Sequence, residues 1–387
     1  MWRYSIKNYR RKWFDRRMKV PFGTLNVNDK PLLDKVVASN WLTQGETVAL
    51  LEKEFASVFK SKFAIACSTG TDALAICCAI LSNRFKGGEI ICPALTFIAT
   101  ANAILQAGFI PKFVDIDRKT LGIDVSKIEG VINYNTVAIM PVHLMGKPCN
   151  MDEIVRIANK YHLTIIEDCC EAHGSTYKGG LVGNIGEMGC FSLYASHIVS
   201  SVEGGMIITD DPVIDSKCRS LRNHGMVNKF RFDDIGFSAK MNELEAAVGV
   251  GNIRNFESIL EHRKRNWHYL TNQMQRFKEY FIIMEEASHE KIGPHAFSLL
   301  LRDTSPFSKQ TLCDALRTAE IDFRDLFYSI PTQTKGYYFL GYKLGDFPEA
   351  EYCSDYGVHI GIHQDLKINQ LDYVVEVIGN LVKQYAI

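Results

Sequence analysis

A single histidine, His197, lies where an apolar run gives way to a glycine-rich turn, in the stretch FSLYASHIVSSVEGGM at residues 191–206. Imidazole has an unperturbed pKa of about 6.5, so its chemistry suits a general acid and base at neutral pH. For an isolated histidine, the more frequent explanation is a loop side chain with satisfied hydrogen bonds. The choice depends on which other residue types share the site.

The stretch CSTGTDALAI at residues 67–76 predicts a strand end, a turn of small residues and the start of a helix. The backbone N–H groups of Gly70 and Thr71, the Thr71 hydroxyl and the helix dipole together suit a phosphate group. A helix cap that binds no ligand explains the same residues. This motif alone leaves both explanations open.

Two further strand ends carry an aromatic residue and an acid. Phe97 follows the predicted strand EIICPA, where its ring can stack on a flat ligand or pack in the core. Asp168 ends the apolar run LTIIED, where a carboxylate can pair with a protonated ring nitrogen or remain solvated. A phosphate-binding turn, a stacking ring and an acid together indicate pyridoxal phosphate or pyridoxamine phosphate.

Short apolar runs alternate with helical patterns between about residues 63 and 250. This alternation predicts an α/β fold whose mostly parallel sheet is buried on both faces and binds ligands beyond the carboxyl ends of its strands. Shorter segments then predict a smaller α+β domain. We expect a basic N-terminal arm at 1–20, a large cofactor-binding domain at 21–255 and a small C-terminal domain at 256–387.

The composition is that of an ordinary globular protein, with 47% hydrophobic residues, 23% charged residues and zero formal net charge. We therefore expect neither nucleic acid nor an anionic membrane as a partner. No apolar run reaches the roughly 18 residues of a membrane span, and the basic N-terminal stretch lacks the apolar region of a signal peptide. The cysteines form no CxxC pair, so we expect no metal site, and free thiols suit the cytoplasm.

The chain resembles the DegT-type family of pyridoxal-phosphate-dependent sugar aminotransferases from about residue 20 to the C-terminus. The markers follow one another in order: WLTQGETVALLEKEFA, STGTDALAI, PALTFIATANAI, FVDID, PVHLMGKP, EDCCEAHGS, EGGMIITDD, LRNHGM and GFSAKMNELEAAVG. The resemblance implies fold type I, the architecture of aspartate aminotransferase.

The resemblance also implies roles for particular residues. Gly70, Thr71 and Ser192 would hold the phosphate, Phe97 would stack on the ring, Asp168 would pair with the pyridine nitrogen, and Glu171 would lie near the ring hydroxyl. The family's homodimers build each site from two subunits. A residue of GFSAKMNE, usually asparagine, reaches the partner's phosphate, and this chain has Ser238 there.

The main departure from the family is His197, because the aminotransferases have a lysine there that forms a Schiff base with the cofactor. Imidazole has no primary amine, so the cofactor would not be bound covalently. His197 and the C-terminal GVHIGIHQDL resemble the branch typified by GDP-4-keto-6-deoxymannose 3-dehydratase. Enzymes of that branch remove the C3 hydroxyl of a nucleotide-linked 4-keto-6-deoxyhexose in the biosynthesis of surface polysaccharide. The resemblance implies that His197 would be the acid and base of this reaction, and that L-glutamate would regenerate pyridoxamine phosphate.

Residues for the nucleotide sugar are less specific. Lys240 and Arg324 are candidates for the diphosphate, although surface ion pairs explain both equally well. His363 and Gln364 are candidates for the sugar hydroxyls, or simply end a strand. The sequence does not indicate which nucleotide or sugar is bound.

Three other interpretations compete. A related branch with the same histidine carries an iron–sulfur cluster, which needs four cysteine ligands. The chain offers only the widely spaced Cys218, Cys313 and Cys353 after His197, so we do not expect that branch. An aminotransferase whose lysine has been replaced and a non-catalytic paralogue that serves an active partner both remain open.

Overall fold

The computed structural model describes residues 18–82 and 87–385. Most of the expected N-terminal arm at 1–20 therefore lies outside the described residues. The α-helices are α1 (Lys30–Ser39), α2 (Glu46–Phe59), α3 (Gly70–Ser82), α4 (Ile98–Gln106), α5 (Val125–Ile128), α6 (Met151–Tyr161), α7 (Pro212–Arg222), α8 (Glu243–Arg254), α9 (Phe256–Met274), α10 (Lys309–Thr318), α11 (Ile330–Gln333), α12 (Pro348–Tyr356) and α13 (Ile368–Tyr385). Among the described residues, no helix is both long and apolar enough to cross a membrane.

The strands are mostly short. They are β1 (Phe63–Cys67), β2 (Glu89–Pro93), β3 (Ile110–Val114), β4 (Thr136–Ile139), β5 (Thr164–Asp168), β6 (Thr176–Tyr177), β7 (Gly180–Leu181), β8 (Met188–Ser192), β9 (Gly205–Thr209), β10 (Met226–Asn228), β11 (Arg231–Phe232), β12 (Phe281–Ile282), β13 (Glu290–Lys291), β14 (Ala296–Leu301), β15 (Phe323–Asp325) and β16 (Gly357–Gly361).

A seven-stranded sheet in the order β1-β9-β8-β5-β4-β2-β3 occupies the centre of the fold. Neighbours from β8 to β3 pair in parallel, whereas β9 runs antiparallel to both β1 and β8. Its strands are buried almost throughout, because helices cover both faces and leave neither to water. The mostly parallel α/β sheet predicted from the sequence is confirmed.

A second sheet, fully antiparallel, follows in the C-terminal part in the order β12-β14-β16-β15. Helix α13 buries Leu371, Val374 and Ile378, one apolar face at helical spacing, in the same core cluster as residues of β14 and β16. The C-terminal part is therefore α+β in character. The expected division between residues 255 and 256 stays a prediction.

Two consecutive helices, α8 and α9, follow residue 242 and are separated at Asn255. Asn255 has φ −100° and ψ 8°, and its side-chain amide donates to the carbonyl oxygen of Gly251 at 2.8 Å. An asparagine side chain that bonds the preceding turn competes with the helical backbone pattern, which ends the first helix.

Candidate active site

A cavity of about 410 Å³ lies at the carboxyl ends of the parallel strands, bordered on its far side by β15 and β16. This is the edge of a parallel sheet at which ligands bind. The sequence-predicted residues that line the cavity are Gly70, Thr71, Phe97, Asp168, Glu171, Ser192, His197 and Arg324. Residues distant in sequence therefore converge on one site.

At the first turn of α3, different residues cap the helix and line the cavity. The Thr69 hydroxyl accepts the backbone N–H of Asp72 at 3.0 Å, and the Asp72 carboxylate accepts the hydroxyls of Ser68 (2.6 Å) and Thr69 (2.8 Å). The cap that the sequence left as an alternative explanation is thus provided by Thr69 and Asp72. Thr71, which lines the cavity, is outside this network.

Gly70 brings the start of α3 against the end of β8. A Cβ atom at position 70 would lie 2.8 Å from the Ser192 Cβ and 3.2 Å from its Oγ, so any larger residue would push the two segments apart. The Ser192 hydroxyl and the helix N-terminus consequently face the same end of the cavity. Hydroxyl groups, N–H groups and the positive end of a helix dipole together suit a phosphate.

Asp168, at the end of β5, is a buried carboxylate at the cavity floor, 4% exposed. It accepts the Thr100 hydroxyl at 2.8 Å and the Cys170 backbone N–H at 3.2 Å. Burial raises the pKa of Asp168 more than these hydrogen bonds lower it. A cation beside this carboxylate would offset the cost of its desolvation, and a protonated pyridine nitrogen is such a cation.

Glu167 and Asp168 are adjacent acids whose side chains point to opposite faces of the sheet, as strand alternation requires. Glu167 accepts the backbone N–H groups of Ile185 and Gly186 and lies 3.1 Å from His143 Nε2, inside the protein. Together with Cys169, Glu167 and His143 form the one group of metal-ligand type found among the described residues. Their hydrogen bonds explain them as a buried structural network.

Phe97 precedes α4 and is 56% exposed, which is unusual for a large aromatic side chain beside a buried strand. Its ring lies 5.9 Å from that of Phe327 at a 57° tilt, and both residues line the cavity. The structure therefore leaves an aromatic surface uncovered above the Asp168 end of the site. Such a surface suits stacking on a flat ring.

His197 lies in the loop between β8 and β9, half-buried in the cavity wall. Burial, followed by the positive charges of Arg263 and Arg324, lowers the pKa of His197 to about 3. The pKa of His197 in the ligand-free protein is thus far below the unperturbed value of about 6.5 from which its acid–base role was expected. His197 is neutral at physiological pH, which is the form that accepts a proton.

Arg263 of α9 connects the His197 loop with the segment that leads into β14. It is 1% exposed and donates to the carbonyl oxygens of Ser196 (3.2 Å), His197 (3.4 Å) and His295 (3.1 Å). Gln364 completes its set of acceptors at 3.3 Å. The sequence analysis missed Arg263, because nothing in its local pattern distinguishes it from a solvent-facing helix arginine.

Four predicted residues do not line the cavity among the described residues: Ser238, Lys240, His363 and Gln364. Lys240 donates to the Asn223 side chain at 2.7 Å, and Ser238 forms a β-bridge with the same residue. Gln364 accepts a hydrogen bond from Arg263, and His363 is buried. Their predicted roles toward substrate or a partner's phosphate stay predictions. Arg324, by contrast, faces the cavity and stacks over Phe22 at 3.9 Å.

Glu171 lines the cavity, and its carboxylate accepts the Met145 backbone N–H at 2.8 Å. Burial raises the pKa of Glu171 to about 7. Between about pH 4.5 and 7 the folded state therefore holds a proton that the unfolded state has lost, so the contribution of Glu171 to stability decreases as pH rises through this window.

We predict that Glu171→Gln cancels this pH dependence, because glutamine does not ionise. Relative to the variant, the wild type should lose about 2–3 kcal/mol of unfolding free energy between pH 5 and pH 8. Urea unfolding of both ligand-free proteins at the two pH values measures the difference, with the exposed Glu279→Gln as the matched control. If the unfolding free energies of the wild type and of Glu171→Gln changed equally with pH, the raised pKa of Glu171 would be contradicted.

The site fits a phosphorylated pyridine cofactor. Within the part of the chain that the structure describes, the cavity is lined by the α3 N-terminus with the Thr71 hydroxyl, by the buried Asp168 carboxylate, which forms no ion pair there, and by the exposed ring of Phe97. These are the groups that a phosphate, a protonated ring nitrogen and a flat ring require. Thr71, Asp168 and Phe97 respectively supply them.

A seven-stranded sheet of this order, with such a site at its carboxyl edge, defines a pyridoxal-phosphate-dependent enzyme of fold type I. The sequence profile of the DegT/DnrJ/EryC1/StrS aminotransferase family matches residues 24–379. The chain belongs to this family, which confirms the resemblance seen in its motifs.

Both aminotransferases and dehydratases occur among its relatives. GDP-perosamine synthase of Caulobacter vibrioides is 36% identical over 64% of this chain and 68% of its own. GDP-4-keto-6-deoxy-D-mannose 3-dehydratase of Yersinia pseudotuberculosis is 30% identical over 89% of this chain and 94% of its own. The solved E. coli dehydratase with bound hydrated PLP is 28% identical, covers 94% of this chain and 100% of its own, and has a TM-score of 0.85.

Proposed function

We propose that this protein is a pyridoxamine-phosphate-dependent 3-dehydratase of a nucleotide-linked 4-keto-6-deoxyhexose. One observation carries the proposal: His197 lies in the cavity wall, where the resemblance to the family leads us to expect its Schiff-base lysine, and none of the described residues that line the cavity is a lysine. Without a primary amine, these described lining residues would form no Schiff base with the cofactor. The dehydratases among its relatives support the same activity.

The cofactor, when bound, supplies a primary amine for the sugar ketone and a conjugated ring that delocalises electrons. The chain's own residues bind and orient it. Gly70, Thr71 and Ser192 would hold the phosphate at the α3 N-terminus, Asp168 would hold the ring nitrogen in its charged form, and Phe97 would cover one ring face. Glu171 would lie near the ring hydroxyl as a carboxylic acid that can donate a hydrogen bond below about pH 7.

His197 moves the proton. Its Nδ1 atom is buried, so we assign the transfer to Nε2. The neutral imidazole would accept a proton from the bound cofactor, and the imidazolium would then donate a proton to the C3 hydroxyl of the sugar, which would leave as water.

We further propose that the enzyme is a homodimer with shared sites and that L-glutamate restores the amine. Loss of the C3 oxygen is a two-electron reduction of the sugar, and oxidation of glutamate to 2-oxoglutarate supplies the two electrons. Each turnover therefore releases ammonia and 2-oxoglutarate in equal amounts. A transaminase would release 2-oxoglutarate and keep the nitrogen on the sugar.

This stoichiometry gives the decisive test. The protein is incubated with pyridoxamine phosphate, L-glutamate and 4-keto-6-deoxyhexoses linked to guanosine, cytidine or thymidine diphosphate. We expect equal amounts of ammonia and 2-oxoglutarate, and a sugar product that has lost its C3 oxygen by mass spectrometry. Samples without glutamate should stop when the supplied pyridoxamine phosphate is consumed.

The aminotransferase interpretation has a specific basis, since GDP-perosamine synthase is among the relatives. It predicts 2-oxoglutarate without ammonia and an amino sugar with every other oxygen retained. That result would refute the dehydratase. Tight binding of cofactor and all three sugars without turnover would favour the non-catalytic subunit instead.

A further inference from the structure

Among the residues that the structure describes, none accepts or donates a hydrogen bond at the buried Nδ1 of the His197 ring. Its Nδ1 is buried and unpartnered, and its backbone N–H donates to the Tyr194 carbonyl at 2.9 Å. A general base is commonly held by a third group bonded to its second nitrogen. Among the described residues no such group is present, so packing must set the orientation of this imidazole.

The closest aromatic neighbour of His197 is the ring of His295, just before β14. The two ring centroids are 4.6 Å apart and the planes differ by 35°. His173 and Tyr194 are more distant, at 6.0 and 6.3 Å. His295 therefore covers one face of the base at contact distance and restricts its rotation.

His295 is itself held from two sides. Its Nε2 lies 3.8 Å from a Glu171 carboxylate oxygen, and both side chains are almost fully buried. Arg263 donates to the backbone carbonyls of both His295 and His197, at 3.1 and 3.4 Å. One buried guanidinium thus fixes the separation of the two backbones, and the carboxyl of Glu171 limits where the His295 ring can turn.

We propose that His295 is a positioning residue for His197: its ring fixes the orientation in which the His197 imidazole presents Nε2 to the cavity. This inference rests on the proposed function, in which His197 moves the proton. In other catalytic histidine sites a hydrogen-bonded acid orients the imidazole. Here the face of the His295 ring, and not its nitrogen atoms, would orient His197.

Two variants distinguish the effect of the His295 ring face from the effect of its nitrogen atoms. His295→Phe keeps a flat ring and removes both nitrogens, whereas His295→Ala removes the ring. Each is examined without ligand by NMR of ¹⁵N-histidine, with the His197 signals assigned by their loss in His197→Asn. Binding of pyridoxamine phosphate and the rate of ammonia release are measured on the same proteins.

We expect one sharp His197 tautomer in the wild type and in His295→Phe, and exchange-broadened signals in His295→Ala. The kcat of His295→Ala should fall about 10²-fold while the Kd for pyridoxamine phosphate changes little, because misplacing a catalytic group costs about that much. His295→Phe should react at a rate close to that of the wild type.

An unchanged His197 spectrum and kcat in His295→Ala would overturn the inference. So would an inactive His295→Phe with an unchanged His197 spectrum, because the nitrogen atoms would then act on the ligand directly. If the wild type formed an amino sugar, the proposed function would fail. The ligand-free spectra would still show whether His295 orients His197.

Discussion

Replacement of His197 by asparagine is expected to lower kcat for C3 deoxygenation by about 10²- to 10⁴-fold, the usual contribution of a general acid and base. Asparagine carries amide groups but no titratable nitrogen, so neither proton transfer remains. The substitution leaves no buried charge behind, because the wild-type imidazole is neutral at physiological pH. The variant should therefore fold and bind pyridoxamine phosphate as the wild type does, which circular dichroism and absorbance titration measure.

The exposed His162 provides a matched control. It ends α6 in the left-handed conformation, with φ 55°, which asparagine adopts readily. His162→Asn should keep full activity and stability. A His197→Asn enzyme as active as this control would show that another residue moves the proton.

A complementary substitution tests the absence of a covalent bond. Wild-type protein treated with pyridoxal phosphate and borohydride should yield no labelled peptide from residues 191–206, because imidazole forms no reducible imine. His197→Lys should be labelled at position 197. Labelling of a wild-type lysine in the cavity would contradict the proposed role of His197.

The second large effect is expected for Asp168→Asn, which keeps the shape of the side chain and removes its charge. Loss of one partner of a buried ion pair costs about 3–5 kcal/mol, which corresponds to an affinity for the cofactor weaker by about 10²-fold to several thousand-fold. The ligand-free variant should be at least as stable as the wild type, because burial alone already disfavours the ionised carboxylate.

Opposite effects on stability and on binding distinguish a cofactor-binding acid from a structural one. Thermal unfolding of the ligand-free proteins and absorbance titration with pyridoxamine phosphate measure both quantities. Asp34→Asn, on the exposed face of α1, is the control. If Asp168→Asn unfolds more easily and binds the cofactor normally, Asp168 serves the fold and not the cofactor.

The strands of the main sheet and eight of the residues that line the cavity were predicted from the sequence. Apolar runs such as those of β4 and β5 specify buried strands because each strand must remove its side chains from water on both faces. Residues that end parallel strands share one edge of the sheet, so Asp168 and the Gly70 turn converge whatever the remainder of the chain does.

Local patterns could not predict contacts between segments far apart in sequence. Arg263 was missed because its acceptors are backbone carbonyls near residues 196 and 295. Gln364, a candidate for the sugar hydroxyls, accepts a hydrogen bond from Arg263, a contact that the sequence did not predict. Such pairings depend on how α9 and the loops before β14 and after β16 pack, which short-range periodicity does not encode.

The sequence by itself determined which group stands at position 197, and an imidazole has no primary amine with which to form a Schiff base in any fold. Only the tertiary structure decided the state of that imidazole. Burial and two arginines from distant elements, Arg263 and Arg324, lower its pKa to about 3. A proton's affinity for a side chain depends on desolvation and on nearby charge, and both are properties of packing.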